Sequence, residues 1–134
     1  MNIALCLTPK CNVTFLYSDT TLQQGMRKLR SSGFSAVPVI TKDGLYAGSV
    51  SEGDLLWHLL GDRVTDNLTL DLSGKLVSDV LNTDRNPPVP ITARMDDVLE
   101  RSLKQNFIPV VDDRGVFIGI VTRKNIIDRY VLKN

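Results

Sequence analysis

Apolar residues in this chain fall into two runs of five, each followed by a polar turn and a second apolar run. Ala36-Val37-Pro38-Val39-Ile40 leads into Thr41-Lys42-Asp43-Gly44, and Leu45 to Val50 follows. Phe107-Ile108-Pro109-Val110-Val111 leads into Asp112-Asp113-Arg114-Gly115, and Val116 to Val121 follows. Continuous runs of this length predict buried strands. Asp-Gly between apolar runs predicts a hairpin turn. Upstream the period changes. Leu22, Met26 and Leu29 fall on one helical face, with Thr20 expected as cap, Gln23 reaching back to it and Gly33 as stop. Met95, Val98, Leu99 and Leu103 predict the matching helix, with Asp96 and Asp97 in its first turn, where the helix dipole favours negative charge. Helices are expected again from Ser51 to about Leu60, ending at Gly61, and from Arg123 to about Leu132. Short extended pieces, Val13 to Leu16 and Val89 to Ile91, precede each set. Lys75 to Leu81 predicts one more short helix.

This is an internal repeat. Pro109, Gly115, Gly119 and Asn125 each lie 71 residues after Pro38, Gly44, Gly48 and Asp54. Leu22 and Met26 align with Met95 and Leu99 at 73, and Thr8-Pro9-Lys10 with Thr83-Asp84-Arg85 at 75. The slips are expected in turns, where length changes are tolerated. Two copies suit one closed, pseudo-symmetric domain rather than an open solenoid. The expected organisation is a single module over 1–134, with repeats at 8–60 and 75–132 and a connector at 61–74.

Composition narrows the function. Lys and Arg number 16 against 15 Asp and Glu, a net charge of +1. That is not the basic bias of a nucleic-acid binder. With no signal peptide or apolar run long enough for a membrane span, a cytoplasmic protein is expected. Two cysteines, Cys6 and Cys11, and one histidine, His58, are too few and too scattered for a four-ligand zinc site. Free thiols are expected. Asp96-Asp97 and Asp112-Asp113 are adjacent pairs suited to caps and turns. No nucleophile has a partner, and no Walker-type or Gly-x-Gly-x-x-Gly run occurs, so no enzyme is expected.

The repeated polar positions are the candidate site. Gly48-Ser49-Val50-Ser51-Glu52-Gly53-Asp54 and Gly119-Ile120-Val121-Thr122-Arg123-Lys124-Asn125 both read Gly-x-x-(Ser/Thr)-x-x-(Asp/Asn). At a strand-to-helix corner the glycine lets a flat group approach the backbone. Ser51 or Thr122 sits beside unpaired N–H groups, which favour phosphate. Asp54 or Asn125 returns to the same end of the helix and suits sugar hydroxyls. Arg123 adds a cation for phosphate, and Lys10 and Arg85 are placed to add charge. The same residue types also describe simple helix caps.

The doubled pattern as a whole resembles the CBS domain, here as a tandem pair or Bateman module, and covers the chain from about Thr8 to Tyr130. The segments that carry the resemblance are Gly-Phe-Ser-Ala-Val-Pro-Val-Ile, Gly-Ser-Val-Ser-Glu-Gly-Asp-Leu-Leu-Trp and Ile-Pro-Val-Val-Asp-Asp-Arg-Gly-Val-Phe-Ile-Gly-Ile-Val-Thr-Arg-Lys-Asn-Ile-Ile. It implies an α+β fold of two repeats with pseudo-two-fold symmetry, pairing into homodimers. It implies a regulatory, non-catalytic module that needs no cofactor and binds an adenine nucleotide such as AMP, ADP or ATP between the repeats. Carried over, Asp54 and Asn125 hold ribose, and Ser51, Thr122 and Arg123 serve phosphate. Ala36, Val37, Phe107 and Ile108 line adenine pockets with Val13, Phe15, Val89 and Ile91. Cyclic di-AMP and S-adenosylmethionine are alternative ligands. A ligand-free dimerisation scaffold using the apolar faces of Trp57, Ile126 and Ile127 is the competing function, and a partner protein is expected to read the module's state. Asn125, where the family favours Asp, is the main departure.

Overall fold

The computed structural model describes residues 2–60 and 72–132. In chain order the elements are β1 (Leu7–Pro9), β2 (Leu16–Tyr17), α1 (Leu22–Ser32), β3 (Ala36–Ile40), β4 (Tyr46–Ser51) and α2 (Glu52–Leu60). After 71 come β5 (Val89–Pro90), α3 (Met95–Ser102), β6 (Phe107–Val111), β7 (Phe117–Thr122) and α4 (Arg123–Ile126). The mixed α and β content and the two copies of helix, strand, strand, helix match the α+β class expected.

The chain forms two compact units that do not coincide with its two halves. One unit holds Met1–Val13, Gly44–Tyr46 and Asp84–Asn134; the other holds Thr14–Asp43 and Ala47–Thr83. Each repeat therefore gives its leading segment to the other repeat's unit. In the first unit the sheet order is β1-β7-β6-β5. β1 runs antiparallel to β7, with Leu7 opposite Val121 and Thr8 opposite Ile120. In the other unit the order is β2-β3-β4, and Asn82 bridges Ser49 on β4. Ser49 N–H donates to Asn82 O, and Asn82 N–H returns to Ser49 O, both at 2.9 Å. Because Ser49 and Ile120 are counterparts, Thr8 matches Asn82, at an offset of 74. The 75-residue alignment to Thr83 is thereby corrected by one residue.

Each unit has its own core. Ile3, Cys6, Val89, Val98, Ile108, Val110 and Val121 pack in the first. Leu16, Leu22, Leu29, Val37, Val39 and Val50 pack in the other. The N-terminal residues were not expected to reach a core. They do so because a 3-10 turn over Ile3–Cys6, capped by the Asn2 side chain on Ala4 N–H, turns Ile3 and Cys6 inward.

α1 starts one residue later than expected, at an N-cap of Thr21 that accepts from Gln24 N–H. Gly33 ends it in the left-handed conformation at φ 76°, which glycine adopts without a Cβ penalty. α3 is shorter, eight residues against eleven. The length slip between the repeats thus falls at the end of a helix, not in a turn. Leu103, expected on the buried face, lies past that end and is 79% exposed. The final helix is α-helical only over Arg123–Ile126, then widens to a π-helical turn over Ile127–Val131. Between the repeats, the short helix expected from Lys75 is a 3-10 turn over Val77–Val80. The Gly61 stop and most of the connector lie outside the described residues.

Within the first unit the two hairpin turns pair with each other. Leu45 bridges Val116 antiparallel. Tyr46 N–H donates to Gly115 O at 3.2 Å and Phe117 N–H donates to Gly44 O at 2.9 Å. These two bonds exchange equivalent residues of the repeats. The Tyr46 and Phe117 rings stack with centroids 6.2 Å apart and planes 25° from parallel.

Candidate functional site

Two strand-to-helix corners carry the candidate residues, and they are built differently. At the first, Ser51 ends β4 and starts α2. Ser51 N–H donates to Asp54 Oδ2 at 2.9 Å, and Asp54 N–H donates to Ser51 Oγ at 3.0 Å. This reciprocal pair is a capping box with Asp in place of the usual Glu or Gln. Glu52 and Asp54 put acidic groups in the first turn of α2, where its dipole favours them. Both Ser51 and Asp54 are half-buried.

At the second corner, Asn125 N–H donates to Thr122 Oγ1 at 3.2 Å. The side chain does not return to the cap. Asn125 Nδ2 donates to Cys6 O at 3.3 Å and to Thr8 Oγ1. A carbonyl oxygen can only accept, so the Cys6 contact fixes which way the amide faces. Arg123 is exposed and its Nε donates to Ser102 O at 2.6 Å, tying β7's corner to the end of α3.

The two motif glycines do something the sequence did not suggest. Their missing side chains were expected to admit a flat ligand group. Instead the chain's own backbone occupies both places. A Cβ on Gly48 would stand 2.6 Å from Asn82 O and 3.0 Å from Leu81, and one on Gly119 would strike Thr8 O and Leu7. The glycines let the exchanged segments lie against β4 and β7.

The remaining candidates divide between the units. Phe15, Ala36 and Val37 share the unit of Ser51 and Asp54. Val13, Val89, Ile91, Phe107 and Ile108 share the unit of Thr122, Arg123 and Asn125. Val37, Val89 and Ile108 are core residues, and Phe107 is also buried. Val13, Phe15, Ala36 and Ile91 are half-buried. Phe15 meets Tyr17 edge to face at 5.4 Å, and Lys28 Nζ sits 5.2 Å from the Phe15 ring centre.

Sequence reasoning missed Cys6 and Thr8 at the second corner. The only signal was the matching Leu7-Thr8 and Leu81-Asn82 steps ahead of β2 and β5. It also passed over Ser49, which is fully buried and whose Oγ has no hydrogen-bond partner among the described residues. Its counterpart is apolar Ile120.

Among the described residues, Cys6, Tyr46 and Asp112 are shifted from their ordinary values. Burial pushes the Cys6 thiol up, and nearby Arg129 partly opposes this. Burial also pushes the Tyr46 phenol well up; its hydroxyl donates to Asn86 O at 2.7 Å. The Asp112 carboxyl is held down chiefly by backbone N–H bonds from Val116 and Arg114. Both reach Asp112 Oδ1 at 2.9 Å and order the second hairpin turn. Cys6 and Cys11 are free thiols, as expected. Among the described residues there is no cluster of His, Cys, Asp or Glu that could hold a metal. Nor, among them, is any helix long and apolar enough to cross a membrane.

The CBS-domain family model matches residues 6–61 and 77–132. The chain belongs to the CBS-domain family. Its two repeats are CBS domains, and solved CBS-pair proteins share the fold. An uncharacterised protein of Methanocaldococcus jannaschii is 29% identical over 142 residues, covering 87% of this chain and 84% of that one. The structure of CbpB in complex with c-di-AMP superposes with a TM-score of 0.85 at 28% identity, covering 96% of this chain and 83% of that one. CBSX2 of Arabidopsis thaliana in complex with AMP superposes with a TM-score of 0.76 at 25% identity, covering 99% and 98%.

Proposed function

We propose that this CBS pair is a non-catalytic regulatory module that binds an adenine nucleotide, with Ser51 and Asp54 as the polar corner that receives it. The observation that carries this is the pairing of a carboxylate with a helix N-terminus at Ser51–Asp54, in a family whose similar members include one solved with AMP and one with c-di-AMP. An ionised carboxylate is acceptor-only. Vicinal ribose hydroxyls are two donors, so the chemistry matches. The N-terminus of α2 suits phosphate. Ala36 and Phe15, half-buried in the same unit, offer apolar surface to the base. AMP, ADP and ATP present both hydroxyls, whereas c-di-AMP, with its 3′ oxygens esterified, presents only the 2′-hydroxyl of each ribose.

The module acts as a homodimer. Phe34, Leu56 and Trp57 are exposed in one unit, and Leu103, Ile127, Val131 and Leu132 in the other. An apolar cleft of about 690 Å³ between α1 and α2, lined by Met26, Leu29, Phe34, Leu55, Leu56 and Leu59, lies next to Arg27 and Arg30. Contiguous exposed apolar surface of this kind marks an interaction site. Occupancy regulates a partner protein only where nucleotide binds one dimer geometry better than another.

Thermal unfolding with AMP, ADP, ATP and c-di-AMP tests the binding. A ligand at 100 times its Kd adds about 2.7 kcal/mol of stability. Asp54→Ala is expected to abolish that gain. A melting temperature unmoved by all four nucleotides returns the protein to the scaffold role. In that role Ser51 and Asp54 only cap α2, and Ser51→Ala costs about 1 kcal/mol. Sedimentation of Trp57→Asp tests the dimer, with a monomer expected.

A further inference from the structure

The two units carry opposite charge at equivalent places. Arg27 and Arg30 of α1 and Glu52 of α2 line the apolar cleft of about 690 Å³. The repeat aligns α1 with α3 at an offset of 73 and α2 with α4 at 71, so Arg27 corresponds to Glu100 and Glu52 to Arg123. Both pairs reverse sign. The first helices differ in the same sense. α1 carries Arg27, Lys28 and Arg30 and no acid, whereas α3 carries Asp96, Asp97 and Glu100 against Arg101 alone. The apolar positions among these charges keep their character. Met26 and its counterpart Leu99 are both half-buried, and Leu56 and its counterpart Ile127 are both exposed. We propose that in the homodimer the face of α1 and α2 in one copy packs on the face of α3 and the final helix in the other, with Arg27 against Glu100 and Glu52 against Arg123. This orientation rests on the homodimer reading above.

Apolar contact brings such faces together but does not choose among them, because burial of apolar surface is non-directional and Leu56 and Ile127 are alike in chemistry. Charge chooses. Pairing two faces of α1 and α2 would set the cations of one α1 beside those of the other. Pairing two faces of α3 would set acid beside acid. Like charges across an interface suppress the wrong partner, and opposite ones fix the register. The four side chains are available for this. Arg27, Glu52, Glu100 and Arg123 are all exposed, and among the described residues none of them has an ion pair within the chain. Arg123 gives Nε to Ser102 O and keeps the rest of its guanidinium fork for a carboxylate. One exposed ion pair is worth little. In a two-fold dimer, however, residue i meets j and j meets i, so each pairing is made twice.

Sedimentation equilibrium of charge-reversed variants tests the orientation. It is run at low ionic strength, where exposed pairs are least screened. Arg27→Glu sets acid against Glu100, and Glu100→Arg sets cation against Arg27. Each is expected to raise the dimer Kd about tenfold, since two pairs become repulsions in every dimer. The double variant Arg27→Glu/Glu100→Arg exchanges the two signs and is expected to recover the unmodified Kd. Recovery distinguishes the proposed orientation from pairing of like faces, in which Arg27 meets Arg27 and exchanging signs changes nothing. Circular dichroism confirms that each variant is folded, as exposed substitutions of this kind allow. A dimer Kd unchanged in either single variant, or still raised in the double variant, overturns the orientation and leaves the homodimer standing. An unmodified protein that sediments as a monomer at every concentration overturns the homodimer reading and the orientation with it.

Discussion

Gly48 and Asn82 approach so closely that no side chain fits between them. The Asn82 carbonyl oxygen stands 2.6 Å from where a Gly48 Cβ would be, and Leu81 closes the other side at 3.0 Å. Asn82 and Ser49 also exchange both backbone hydrogen bonds, so the segment cannot simply lift away. Gly48→Ala is expected to cost about 3 kcal/mol, the upper end for overpacking. Gly119→Ala, which meets the Thr8 carbonyl in the other unit, is expected to match it. Urea unfolding of the two variants checks both. A loss under about 0.5 kcal/mol, ordinary for a surface change, would contradict the exchanged-segment geometry.

Ser49 predicts a change of opposite sign. Its hydroxyl is buried without a partner among the described residues, and an unmade hydrogen bond costs the desolvation of the group. Ser49→Ala is expected to raise stability by up to about 1 kcal/mol. A lower urea midpoint for Ser49→Ala would mean that the hydroxyl is satisfied in solution.

Tyr46 couples the paired hairpin turns to pH. Its hydroxyl donates to Asn86 O, so Tyr46→Phe is expected to cost about 1 kcal/mol at neutral pH while keeping the stack on Phe117. The folded protein holds the phenol above its ordinary value of 10.0. The unfolded chain therefore loses this proton first, and the stabilisation present below pH 10 declines as pH rises beyond it. Thermal melts from pH 8 to 11 are expected to fall more steeply for the unmodified protein than for Tyr46→Phe.

Asp112 sets the acid side. Two backbone N–H groups hold its carboxyl below the ordinary 3.8, so its contribution is present above that value and lost as pH falls through the lower folded one. Asp112→Ala is expected to lower the melting temperature at pH 7, with the difference shrinking below pH 4. A gap that stays constant down to pH 2 would show that the carboxylate's charge plays no part in the turn.

Much of the architecture was legible because it is local. The run Ala36 to Ile40, the Asp-Gly turn and the Gly33 stop each specify their own backbone, and the second repeat says the same things again. The core strands, the helical faces through Leu22 and Met95, and the cap at Ser51 follow from neighbours in sequence. The family likewise shows in the doubled Gly-x-x-(Ser/Thr)-x-x-(Asp/Asn) corner.

The partners of those corners were decided only in three dimensions. Leu7–Pro9 is too short to declare itself a strand, and it pairs with β7, more than 100 residues away. Hydrogen bonds at that separation leave no periodic trace, so Gly119 read as room for a ligand when its occupant is the Thr8 carbonyl. Asp54 and Asn125 look interchangeable in sequence. Folding separates them, because one accepts from Ser51 N–H at the start of its own helix and the other donates across to the Cys6 carbonyl.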